Sequence, residues 1–285
     1  MKPEIINGFK FQKDIDGSKK LIIESSKLDE CIKYVLDGNI KSITINYFQG
    51  YELPDIDFLY KLSNVLEGLH LPETKFDIKV LNSLHNLKYL GFADNKKDVV
   101  DLSSFPNLES LACDHSSRLR GLDTCKKLKS LALTGYKSQS KGLSELPSFS
   151  VLQELYLFKA DIANLQGVER YGTLKKIALF GASKLETVAA LKPLYDSLEE
   201  IQIEQCKKIN DFEIIGKIKS LKKIILSESG AIKSLVFLEE LPRLEFISFW
   251  GTNVLDGEIK YCEGISYVGF DNKKHYTHKS EQFKK

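Results

Sequence analysis

The sequence predicts an α/β repeat solenoid, a parallel concave β-sheet backed by short 3₁₀ or irregular convex segments. Three observations carry this. An apolar-x-x-apolar-x-apolar strand recurs eleven times, with successive starts 20 to 26 residues apart. The stretches between strands carry apolar residues on a stride of three. Both ends break the pattern, as the terminal units of a stacked repeat do.

The first 39 residues read as a cap. "FKFQKDIDGSKKLIIES" holds two short alternating segments around Asp16-Gly17, which predicts a hairpin. "SKLDECIKYVLDG" predicts a short amphipathic helix, with Ser26 as N-cap and Leu28, Ile32, Val35 and Leu36 as its apolar face. Gly38 closes it. Together they would cover the exposed edge of the first repeat.

Residues 40–270 hold the repeats. "IKSITI" from 40 and "LEGLHL" from 66 are loose copies. "LKYLGF" from 87, "LESLAC" from 108, "LKSLAL" from 128 and "LQELYL" from 152 are closer ones, and "LKKIAL" from 174, "LEEIQI" from 198, "LKKIIL" from 221, "LEFISF" from 244 and "ISYVGF" from 265 follow. Alternate strand residues face opposite sides, so positions one, four and six are core, while three, five and seven line the open face. After each strand the period changes. Ile162, Leu165, Val168, Tyr171 and Leu174 recur every third residue, as do Ile209 to Leu221 and Ile232 to Leu244. That stride suits 3₁₀ turns, whose side chains at i and i+3 eclipse and can all enter one core. The last segment, 271–285, is a basic tail without periodicity and is expected to fray.

This pattern resembles the leucine-rich repeat family, over roughly residues 36 to 270, and its short convex segments resemble the internalin-like class. The resemblance implies that position nine holds an inward small or polar residue that satisfies the backbone where each strand ends. Thr74, Asn95, Ser116, Ala160, Ala182, Cys206, Ser229 and Thr252 occupy it here. Cys206, beside Lys207 and Lys208, is therefore read as a structural rung rather than a reactive thiol or metal ligand.

Function has to be sought in the open columns. Glu154, Lys176, Glu200 and Lys223 share position three, and Gln153, Lys175, Glu199, Lys222 and Glu245 share position two. With parallel strands about 4.8 Å apart, this alternation predicts a ladder of ion pairs. Positions five and seven differ. Phe158 and Phe180 are adjacent in column seven with Tyr156 beside them, Trp250 follows three rungs on, and Phe246 and Tyr267 lie near it. Small residues in column five suggest shallow recesses between the rings. These aromatics, with Glu204 and Asp114 to pair with basic groups, are the candidate partner-binding residues. The alternative is that the rings only pack on one another and shield the sheet.

Composition narrows the class. Forty-one Lys and Arg against 39 Asp and Glu give a formal net charge of +2, which supplies no general attraction to nucleic acid or membrane. The acidic residues on the open face would repel phosphate. There is no apolar run of about 18 residues to span a bilayer, and the start carries no signal-like apolar stretch. Five irregularly spaced cysteines fit a reduced compartment. These readings predict a cytoplasmic protein. No GxSxG, P-loop, HExxH or CxxC pattern occurs, and His275 and His278 have no acidic or thiol partners in sequence, so neither an enzyme, a metal site nor a cofactor is expected. The expected function is a non-enzymatic protein-binding module. Its specific form, by resemblance to free-standing bacterial repeat proteins, is an immunity protein that neutralises a toxin. A carbohydrate or small-ligand scaffold using the exposed rings is the alternative. The partner and the oligomeric state are left open.

Overall fold

The computed structural model describes residues 3–13 and 18–283. The chain divides into two compact units, Met1–Ser130 and Leu131–Lys285.

The first unit opens with β1 (Glu4–Ile6), antiparallel to β2 (Phe9–Lys13), which is antiparallel to β3 (Lys19–Ile22). Asn7 and Gly8, both at positive φ, make the two-residue turn between β1 and β2, the backbone that Asn-Gly favours. The turn expected at Asp16-Gly17 lies outside the described residues. From β3 onward the pairing is parallel, through β4 (Ser42–Thr44), β5 (Gly68–Leu71), β6 (Tyr89–Phe92) and, after the short β7 (Val100–Asp101), β8 (Ser110–Asp114). β7 pairs with β9 (Leu119–Arg120) in a separate two-stranded sheet.

The helix of the cap, α1 (Leu28–Leu36), departs from the sequence reading in two details. A 3₁₀ turn over Ser25–Lys27 precedes it, Lys27 stands at the N-cap position, and no side chain caps the helix. Ser26 is exposed, and it is Ser25 whose hydroxyl accepts a hydrogen bond, from the Glu52 N–H. The buried face is Cys31, Ile32 and Val35, while Leu36 is 49% exposed. At 3.6 residues per turn, Cys31 and Leu36 cannot share a narrow stripe with Val35, and the cysteine takes the inward place. Gly38 closes the helix as expected, at φ 80 with its N–H on the Val35 carbonyl.

The second unit stacks seven strands in chain order: β10 (Ser130–Thr134), β11 (Glu154–Phe158), β12 (Lys176–Phe180), β13 (Glu200–Glu204), β14 (Lys223–Ser227), β15 (Phe246–Ser248) and β16 (Tyr267–Gly269). Register follows the repeat: Leu155 pairs with Ile177, Ile177 with Ile201 and Ile201 with Ile224, all fully buried. Between strands run 3₁₀ segments over Val168–Arg170, Ala189–Leu194, Phe212–Lys217, Val236–Glu240 and Ile259–Cys262. Ile162, Leu165, Val168, Tyr171 and Leu174 are all fully buried, so the stride of three puts every step inside.

Two ladders knit the strand ends. At position eight, Gly135, Lys159, Gly181, Gln205, Glu228 and Gly251 all adopt positive φ. This turns their N–H groups along the stack. Gly135 donates to the Phe158 carbonyl, Lys159 to Phe180, Gly181 to Glu204, Gln205 to Ser227 and Glu228 to Trp250, at 2.7 to 3.0 Å. In the last rung the Asp271 carboxylate takes over, accepting from the Gly251 N–H at 2.7 Å. At position nine the Cys206 N–H donates to the Ser229 hydroxyl at 3.2 Å, and the Ser229 N–H to the Thr252 hydroxyl at 2.9 Å. Cys206 is fully buried, and burial raises its thiol pKa, so it is a rung. Thr74 is the exception in this column: it is exposed, and Phe76 two residues later is buried instead.

The tail does not fray over its described residues. Phe270 stacks on Phe249 at 5.0 Å and contacts Tyr276 and Phe283. The Tyr276 hydroxyl accepts from the Val254 N–H at 2.9 Å, and the Thr277 hydroxyl from the Ile259 N–H at 3.0 Å. Phe270 would be left bare without these partners, and their apolar and hydrogen-bonding groups outweigh the absence of periodicity.

Candidate protein-binding face

In the second unit the register pairs Glu154 with Lys176, Tyr156 with Ala178 and Phe158 with Phe180, then Phe180 with Glu204 one rung on. The column rule thus delivers Phe158 and Phe180 as neighbours. Their rings stack with centroids 4.8 Å apart and planes 7° from parallel. Phe158 is 36% exposed. Phe246 and Tyr267 form a second stack at 4.2 Å and 8°, in register on β15 and β16. Trp250, two residues beyond the end of β15, is 45% exposed and Tyr267 46%. Seven of the eight candidate residues therefore belong to one unit. Asp114, at the end of β8, belongs to the first unit, where its carboxylate accepts from the Asp94 N–H at 3.0 Å.

Glu204 lies between the two stacks in the sheet order, and its carboxylate accepts a hydrogen bond from the Gln202 side-chain amide. The Tyr156 hydroxyl donates to Glu154 at 3.2 Å, and burial followed by the Glu154 charge raises the phenol pKa. Lys176 bridges Glu200 at 3.2 Å and stands 5.4 Å over the Tyr156 ring, while Lys223 stands 5.2 Å over Phe246. Column three is thus a ladder of charge and ring rather than of charge alone. Column two carries ion pairs, Lys175–Glu199 at 3.8 Å and Lys222–Glu199 at 2.6 Å. The first unit has a matching run that the sequence reading stopped short of, Lys41–Glu67–Lys88 and Glu109–Lys129, each contact at 2.7 Å.

The recesses expected above column five are closed at Ala178, Ser248 and Gly269. Ala178 is fully buried, Ser248 is 6% exposed, and a Cβ at Gly269 would meet Trp250 Nε1 and the Tyr267 ring at 3.0 Å. At Gly269 it is the Trp250 and Tyr267 rings that close the space, an arrangement that buries more apolar surface than rings standing apart. A separate recess of 360 Å³ opens beside them, lined by Trp250, Tyr267, Gly269, Ser280 and Phe283. It involves the tail, whose docking nothing in the repeat period announces.

The histidines of the tail are engaged: His275 Nε2 lies 3.0 Å from the Val254 carbonyl, and His278 Nε2 lies 3.3 Å from Glu263. Among the described residues no group of three or more His, Cys, Asp or Glu could hold a metal ion, and no helix is long and apolar enough to cross a membrane. All five cysteines are free and buried.

Comparison with solved structures places this architecture. The internalin InlF of Listeria monocytogenes aligns over 88% of this chain and 77% of its own, at a TM-score of 0.54 and 16% identity. The fold is the internalin-type leucine-rich repeat. The functional domain of InlJ from the same organism, which includes a cysteine ladder, aligns over 84% of this chain and 60% of its own, with a TM-score of 0.53 and 15% identity. In this leucine-rich repeat chain, position nine of the second unit carries cysteine once, at Cys206, among Ala160, Ala182, Ser229 and Thr252. No protein-family model and no curated protein matches the sequence.

Proposed function

We propose that this leucine-rich repeat protein is a non-enzymatic binding module that receives a protein partner on the open face of its second unit. One observation carries the reading: two stacked aromatic pairs, Phe158–Phe180 and Phe246–Tyr267, with Trp250 beside them, leave large rings exposed on one sheet face. Rings clustered in this way are unusual on a surface without a partner, and Phe, Tyr and Trp are enriched at the centres of interfaces. Stacking within each pair fixes the rings before contact, which lowers the ordering cost of binding. The finer form of the proposal is an immunity protein that neutralises a bacterial toxin; a toxin domain is the partner to look for first.

The test is photo-crosslinking. With p-benzoylphenylalanine at position 158, irradiation in native lysate should couple one protein, identified by mass spectrometry, and the coupling should vanish with Phe180→Ala and Trp250→Ala together. Recovery no greater than from the same label at Tyr195, 50% exposed outside the sheet, would remove the proposal.

The 360 Å³ recess against Trp250 and Tyr267 favours a second reading, a carbohydrate or small-ligand scaffold. Trp250 is the one tryptophan of the chain, so titration with a glycan library followed by its emission is a direct check: saturable shifts support this reading and a flat response removes it.

A further inference from the structure

The turns that follow β10 to β13 are basic, and the turns after them are not. Residues 135–141, 158–161, 180–184 and 204–208 contain six lysines, 137, 141, 159, 184, 207 and 208, against Asp161 and Glu204, so 6 − 2 gives a local charge of +4. The whole chain carries only +2. Residues 227–231 and 250–254 contain one glutamate and no lysine. All six lysines are exposed.

Ion pairing consumes little of this charge. Asp161 is held by Lys184 at 2.9 Å and Lys141 at 3.7 Å, and these lysines together with Lys137 hold its carboxyl below the usual range. Glu204 is engaged with the Gln202 amide. Lys159, Lys207 and Lys208 stand without an ion pair among the described residues.

The strip adjoins the aromatic stack through the backbone itself. Lys159 follows Phe158 directly, and its position-eight N–H is bonded to the Phe180 carbonyl at 2.7 Å. Lys207 and Lys208 follow Cys206, whose burial and hydrogen bonds anchor the start of their turn. Lys184 and Lys208 hold the same position, eleven, in successive rungs about 4.8 Å apart, and cations on adjoining turns beside two parallel rings make a surface with both charge and apolar selectivity.

We propose that this rim, with Phe158 and Phe180 as its apolar floor, receives an acidic, aromatic-bearing segment of the protein partner. The proposal rests on the binding-module reading above and specifies the partner's chemistry. A protein segment fits better than a nucleic acid, because a continuous phosphate chain crossing the rings would meet Glu154, Glu200 and Glu204 on the same face, whereas a polypeptide can place its carboxylates over the lysines alone.

The experiment is fluorescence anisotropy of the full chain with two labelled probes, a glutamate–tyrosine copolymer peptide and a 12-nucleotide single-stranded DNA. The peptide should bind more tightly than the DNA. Lys184→Glu, Lys207→Glu and Lys208→Glu together should weaken it at least tenfold. Phe158→Ala with Phe180→Ala should weaken it as well, at unchanged net charge. Lys192→Glu, Lys233→Glu and Lys260→Glu, the same charge change elsewhere in the unit, should weaken it less than threefold. Absent peptide binding, tighter DNA binding, or equal loss in both charge-reversed triples overturns the proposal. Circular dichroism melts confirm that each variant is folded. A lysate partner crosslinked at position 158 that proves basic at its contact site would sink this inference and leave the binding-module reading standing.

Discussion

Arg118 grips Asp94 through two guanidinium nitrogens, Nε at 3.2 Å and the terminal nitrogen at 2.5 Å. The carboxylate also accepts the Lys96 N–H at 2.8 Å and is 9% exposed. Its pKa is lowered, first by the Arg118 hydrogen bond. A depressed folded-state pKa contributes stability that is present above the unfolded value, near 3.9, and is lost as pH falls through the folded one. Arg118→Ala should cost about 2 kcal/mol at pH 7 in urea denaturation, because it strands a mostly buried charge. The same variant should lose much less, relative to the parent, near pH 2. An equal difference at both pH values would refute the assignment.

Position eight offers a backbone test. Gly181 has φ 65, and an added Cβ would meet only the Lys159 side chain, at 3.8 Å. Space is therefore not the issue, and Gly181→Ala should cost about 1 kcal/mol through the left-handed backbone alone. Gln205, at φ 56 in the next rung, should lose no stability on replacement by glycine. Urea midpoints of the two variants should thus move in different directions or not together.

Thiol chemistry should be silent in the native state. Burial pushes Cys125 up to about 11 and Cys262 up to about 12, and raises Cys31, Cys113 and Cys206 as well. The thiolate is the reactive form, so Ellman's reagent at pH 8 should label none of the five promptly and all five in urea. Fast labelling of Cys206 in the folded protein would reopen its reading as a reactive group.

Phe180→Ala with Trp250→Ala should separate stability from recognition. Both rings face outward, so the melting temperature should move by only a few degrees. Each change should lower affinity for the crosslinked partner by about 2 kcal/mol or more in calorimetry. Unchanged affinity in the folded double variant would rule out these anchors.

The repeating parts of the molecule were legible in the sequence because its period places residues in rows. Leu155, Ile177, Ile201 and Ile224 fall in one buried column by counting alone, and the Phe158–Phe180 stack follows from the same count. What escaped are features set by a single local exchange. β1 is three residues long and shows no readable alternation, although Asn7-Gly8 marks its turn. Trp250 lies past the end of β15, and its indole nitrogen comes over Gly269 of the next strand, a contact between columns that counting along one column does not give. The docked tail depends on Phe270, Tyr276 and Phe283 meeting in space, and no spacing rule links them. The charged run in the first unit was readable from Lys41 onward and needed only the column extended backwards.

The position-eight ladder ties each turn of the second unit to the next one only. Removing one whole repeat, such as residues 174–197, would leave every remaining residue in its old phase and bring β13 beside β11. Phe158 would then face Glu204 in place of Phe180. A family built this way can edit what it recognises by gaining or losing teeth on a rack, and loss of a single residue within a tooth would be far more damaging than loss of the whole tooth.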